Sequence, residues 1–141
     1  MFTLLSITPQ ADWSFWQWVS YFVVNKYPEF LRGAGNTLLI AISGTIIGSV
    51  IGLLIGVIRT IPERPNGSKV KKAVIKVIKT ILQIYIAVFR GTPMIVQAMV
   101  IFYGIAKWFQ IYMPPIFAGV VIVSINTGAY MAEIVRGGIE S

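Results

Sequence analysis

Three long apolar stretches, separated by basic or proline-containing punctuation, organise the chain of 141 residues. The first, Gly33 to Ile58, has no charged side chain over 26 residues. At about 1.5 Å rise per residue, a helix of that length reaches roughly 39 Å, enough to cross a ~30 Å hydrocarbon layer with tilt to spare. The second, Thr80 to Ala106, is interrupted by one charge, Arg90. The third, Trp108 to Ala132, is uncharged but opens on Pro114-Pro115, which delays its helix to near Pro115 or Ile116. The pattern predicts membrane spans over 34–58, 79–106 and 115–135, joined by a loop over 59–78 and preceded by an interfacial segment over 1–32.

Charge gives these spans a direction. Arg59, Arg64, Lys69, Lys71, Lys72, Lys76 and Lys79 fall between the first two spans and are opposed only by Glu63. Such a short basic loop marks the cytoplasmic side, partly through anionic lipid headgroups. The N-terminus is then external, where Trp13, Trp16, Trp18, Tyr21 and Tyr27 suit the headgroup layer. Trp13 to Val24 reads as a short interfacial helix ended by Asn25, with Tyr27-Pro28 extended before the chain enters the membrane. In the loop, Pro62, Pro65 and Asn66-Gly67 are turn signals. Lysines 69, 72, 76 and 79 then recur at three-four spacing with valine and isoleucine between them, as in an amphipathic helix start at the cytoplasmic surface.

Within the first span, Gly44, Gly48, Gly52 and Gly56 recur every fourth residue. That spacing sets them in one row on a helix face, where a second backbone can approach closely. Arg90 needs a different account. A central arginine costs about 2.5–3.5 kcal/mol on insertion scales and so should face protein, water or the interface, or snorkel beside a structural kink. Gly91, Thr92 and Pro93 follow it and loosen the helix, and a carbonyl freed near Phe89, or a Thr92 hydroxyl bond, would stabilise a kink there. Near the inner end of the third span, Asn126, Tyr130 and Glu133 share one helix face and are expected to point into a bundle or cavity. Arg90, Gln97, Asn126, Tyr130 and Glu133 form the candidate polar network, in which Arg90 pairs with Glu133 or meets another carboxylate.

Composition narrows the function classes. At 56% hydrophobic with 17 charged residues, the chain is too apolar for a soluble domain of this size. No cleavable signal peptide is read at residues 1 to 12. With no cysteine and no histidine, disulfides, thiolate or imidazole metal sites and Ser/His/Asp or Cys/His catalysis are excluded, and no cofactor is expected. The net charge of +7 is gathered in the loop and not spread over a soluble face with interleaved aromatics, so nucleic acid is not the expected partner. No Gly-x-x-x-x-Gly-Lys-Ser/Thr phosphate loop is present, so the chain offers none of that motif's chemistry for holding ATP.

Val88-Phe89-Arg90-Gly91-Thr92-Pro93-Met94-Ile95-Val96-Gln97, followed by Phe102-Tyr103-Gly104, resembles a hallmark of the permease subunits of binding-protein-dependent ABC importers for polar amino acids. Ser124 to Ile139 is similar to the same family's approach to its cytoplasmic coupling loop, and Gly35-Asn36-Thr37-Leu38 to its entry into the first span. The resemblance implies an all-α, polytopic membrane helical bundle of the type I ABC importer permease fold, incomplete here, with three spans of an expected five. It implies a bacterial plasma membrane location, a second permease subunit, identical or different, two cytoplasmic ATPase subunits and an extracytoplasmic amino-acid-binding protein. The family's coupling loop should begin just beyond Ser141, with Arg136 and Gly137 anchoring its start, and the chain reads as an N-terminal fragment or truncated product. A non-transporting assembly or regulatory protein is the alternative, since three spans with a glycine seam can associate without forming a pathway.

Overall fold

The computed structural model describes residues 12–62 and 69–141, and every regular element among them is helical. The elements are α1 (Phe15–Asn25), α2 (Tyr27–Thr60), α3 (Lys69–Gly91), α4 (Met94–Met99), a π-helical turn (Val100–Gly104), α5 (Ile105–Phe109) and α6 (Pro115–Glu140). Loop residues 63–68, including Glu63, Arg64, Pro65 and Asn66-Gly67, lie outside the described residues. The chain divides into two compact units, Met1–Thr37 and Leu38–Ser141.

In the first unit, the backbone N–H of Ser14 donates to Gln17 Oε1 at 2.8 Å, satisfying a donor that the start of α1 would otherwise leave free. The rings of Trp13, Trp18 and Tyr21 meet edge to face, with centroids 5.4 Å apart for the tryptophan pair and 5.5 Å for Trp13 and Tyr21. Tyr27-Pro28, expected as extended, instead opens α2. The first turn of a helix has no intrahelical use for the N–H that proline lacks, and Glu29 beside it carries the negative charge that a helix start favours. Glu29 also accepts from Lys26 Nζ at 2.8 Å.

The second unit is built on α6. Its buried residues are Ala118, Ile122, Ser124, Gly128, Ala129 and Ala132, small for the most part, which lets two neighbours come close. One neighbour is the glycine row of α2. A Cβ added at Gly44 would stand 2.6 Å from Val123 Cγ1, at Gly48 2.7 Å from the Ser124 carbonyl oxygen, at Gly52 2.7 Å from that of Gly128, and at Gly56 2.7 Å from Val135 Cβ. The facing side chains Val123, Thr127, Met131 and Val135 follow their glycines at a constant separation of 79 positions. Residue numbers therefore rise together along the seam, and α2 and α6 are parallel.

The second neighbour is α3, which packs Ile86 against Ala129 and Ala132, with Ile55, Tyr85 and Phe89 around them. Tyr85 donates its hydroxyl to the Ile125 carbonyl at 2.5 Å. Because α2 and α6 point the same way, the chain between them must return to the side where this stretch of α2 began. The return is not one helix. Between α3 and the stretch from α4 to α5 the axis bends by 111° at Thr92-Pro93, so the expected kink is a full break.

Candidate functional site

The break at Thr92-Pro93 strands a backbone carbonyl. In an unbroken helix the Phe89 oxygen would accept from the N–H of residue 93, which is proline and has none. Two side-chain amides take its place: Gln97 Nε2 donates to the Phe89 oxygen at 2.9 Å and Asn126 Nδ2 at 3.4 Å. Gln97 Nε2 also reaches the Thr92 carbonyl and the Thr92 hydroxyl oxygen, each at 2.9 Å, while Asn126 Nδ2 donates to Gln97 Oε1 at 3.0 Å. The Thr92 hydroxyl closes the last turn of α3 by donating to the Val88 carbonyl at 2.8 Å. Gln97 is buried, so this satisfaction is what makes a polar side chain tolerable there.

Thr92 and Pro93 carry the break, whereas Gly91 has open space around it and an ordinary backbone conformation. A few residues on, the π-helical turn at Val100–Gly104 adds a second local departure from α geometry.

The five candidate polar residues fall into three places. Gln97 and Asn126 form the node just described. Arg90 lies exposed with its guanidinium carbon 5.5 Å from the ring centroid of Tyr130, a cation–π arrangement. The expected Arg90–Glu133 pair is not formed. Glu133 is taken instead by Arg59 at the end of α2, with Nη1 to Oε2 at 2.7 Å, and by Arg136, whose Nε reaches Oε1 at 2.9 Å. Arg136 continues to Glu140, and α6 stays helical through Gly137. These four charges sum to zero and tie the ends of α2 and α6 together.

Sequence reading missed Arg59, taking it only as a loop charge. It stands three residues beyond Gly56 and so continues the row that faces α6, which was the available signal. Lys79, in the lysine row expected at the cytoplasmic surface, instead donates its ammonium to the Ile61 carbonyl at 2.7 Å, helping to close the α2 terminus. Among the described residues no cluster of carboxylates is gathered that could hold a metal ion.

No protein-family model matches the chain. Individual proteins do. The glutamine transport system permease protein GlnP of Escherichia coli K12 is 37% identical over 134 residues, covering 94% of this chain and 52% of that protein. The arginine transport system permease protein ArtQ of Bacillus subtilis is 30% identical over 118 residues, 84% of this chain and 48% of that protein. The crystal structure of an amino acid ABC transporter with histidines matches with a TM-score of 0.67 at 34% identity, covering 84% of this chain and 50% of that one. The chain thus spans about half the length of the curated relatives it matches. Over that half, the residues that break α3 and those that seat it on α6 lie in a chain that is similar in sequence and structure to permease proteins of amino acid ABC transport systems.

Proposed function

We propose that this chain supplies part of the membrane path of a polar amino acid importer, driven by separate ATPase subunits and fed by an extracytoplasmic binding protein. A second permease subunit, identical or different, completes the path, and transport proceeds by alternating access, with different affinities in the outward and inward states. The chain lies in the bacterial plasma membrane with residues 1–32 external, crosses near 34–58, 79–106 and 115–135, and keeps the basic loop 59–78 cytoplasmic. Arg136 and Gly137 lead toward the coupling loop that engages the ATPase.

The observation that carries this reading is the broken helix in a chain with permease relatives. Discontinuous helices are where transporters hold polar substrates at mid-membrane. Here an exposed guanidinium, that of Arg90 just before the break, lies over the ring of Tyr130, able to meet a substrate carboxylate, while Gln97 and Asn126 hold the backbone at the break itself. Glu133, apart from that node, holds the α2 and α6 ends together through Arg59 and Arg136.

Uptake of radiolabelled glutamine, arginine and histidine by the source cells, with the gene intact and deleted, tests the reading. ATP-dependent uptake of at least one should vanish in the deletion. Unchanged uptake of every polar amino acid, together with a purified protein that brings no ATPase with it, would overturn it. Arg90→Ala should lower uptake at least tenfold with assembly intact, and Arg90→Lys should recover only part, since lysine lacks the planar group that stacks on the ring. Wild-type uptake by Arg90→Ala would remove Arg90 from the path.

A further inference from the structure

The start of α3 presents a surface that neither the glycine seam nor the broken helix uses. Val70, Val74, Val77 and Ile81 recur at four-three-four spacing and share one face, and all four are exposed, Val70 to 71%. Lys69 and Lys76 flank this ridge on one side and Lys71 on the other, all three exposed. Among the described residues none of the three makes an ion pair, and no acidic residue occurs between Lys69 and Gly91. The opposite face is already occupied: Ile86 is buried on α6. Lys79 bonds the Ile61 carbonyl.

We propose that Lys69, Lys71 and Lys76 bind the headgroups of anionic phospholipid while the Val70–Val74–Val77–Ile81 ridge enters the acyl layer, so that the chain gathers anionic lipid around this helix. An acidic protein surface would answer the lysines but not the bare aliphatic ridge between them. A bilayer answers both, because long ammonium side chains lying beside an apolar ridge reach up to phosphate as the ridge sinks. The inference rests on the membrane reading of the chain and adds to it a lipid class and three residues. Each lysine near an anionic surface contributes about fivefold in partition, so the three together amount to roughly a hundredfold.

The test is native mass spectrometry of the full chain extracted from vesicles of equal phosphatidylglycerol and phosphatidylcholine, after co-flotation with the vesicles has been scored. Wild type should float and retain phosphatidylglycerol in excess. K69Q/K71Q/K76Q should lose at least tenfold of that excess. A control removing the same charge elsewhere, K26Q/R32Q/K107Q, should keep it. Because the triple variant can misfold, a second measurement uses wild type alone: raising salt from 0.1 to 1 M should abolish the preference, as screening requires. A chain that does not float overturns the membrane reading and this inference with it. A chain that floats but shows no preference, or loses it equally in the control, overturns this inference alone. Displacement of the lipid by millimolar inorganic phosphate, or loss of a bound ATPase with the lipid ratio unchanged, reassigns the lysines and overturns it too.

Discussion

Substituting Gly52 by alanine tests the seam at its tightest point. The new methyl carbon would lie 2.5 Å from Met131 Cβ, 2.7 Å from the Gly128 oxygen and 2.9 Å from the Ala132 nitrogen. Comfortable contact needs about 3.5–4.0 Å, so the helices must part by roughly 1 Å at this level. Two of the three atoms are backbone and the third is a Cβ, so no side-chain rotation relieves the clash. Overpacking of this kind costs about 1–3 kcal/mol, with the upper end expected where backbone is struck. Alanine returns about 1 kcal/mol through its better helix propensity. The net is a loss of about 2 kcal/mol, or roughly thirtyfold in the folding equilibrium. The assay is an SDS titration of the protein in mild detergent, followed by tryptophan fluorescence, with Gly137→Ala as the matched control. Nothing lies within 4 Å of a Cβ at Gly137, so the control gains the propensity term with no clash and should match or exceed wild type. Equal midpoints for the two variants would refute the close approach of α2 to α6.

Three further outcomes are expected. Gln97→Leu and Asn126→Leu should each destabilise by about 1–3 kcal/mol in the same titration, since each withdraws a donor from the Phe89 carbonyl, and the double variant should cost less than the sum. Adding Pro93→Ala to Gln97→Leu should restore part of the loss by giving that carbonyl a backbone N–H, and spin labels at Ile81 and Trp108 would read the straightening as a longer distance. Glu133→Gln should destabilise by about 1–3 kcal/mol by leaving Arg59, only 15% exposed at its side chain, without its carboxylate, and R59Q/E133Q should be milder than Glu133→Gln alone.

The glycine row was legible because its period alone defines a face, whatever that face meets. Its partner was not, since Val123, Thr127, Met131 and Val135 have no common chemistry and become a row only in the folded register. Proline at 93 announced an interruption, and the freed Phe89 carbonyl followed from it. The size of the bend did not, because it depends on two amides, one of them 37 positions away, being placed to donate to the stranded oxygen. Opposite charge suggested Arg90 for Glu133, but three arginines compete for that carboxylate. Arg59 is delivered by the seam and Arg136 by the next helical turn, whereas Arg90 faces Tyr130. Tyr27-Pro28 failed for a local reason: the preference of a residue before proline for extended backbone yields when proline occupies a helix's opening turn.

The parallel pairing of α2 and α6 also sets an order of events at the ribosome. A hairpin can close as soon as its second arm appears, but the glycine row waits for residues 79 positions downstream. At ~5–20 residues per second, that interval is about 4–16 s, during which Gly44, Gly48, Gly52 and Gly56 have no α6 to meet. The earliest long-range contacts available to the nascent chain are those of α3 with the α2 terminus, such as Lys79 on the Ile61 carbonyl, and the seam zips only once α6 has been made, together with the Asn126 amide that bonds the break. A bare glycine face held open for seconds is open to any other small-residue helix nearby, so the spacing that makes the finished seam tight also makes its formation the step most exposed to mispairing.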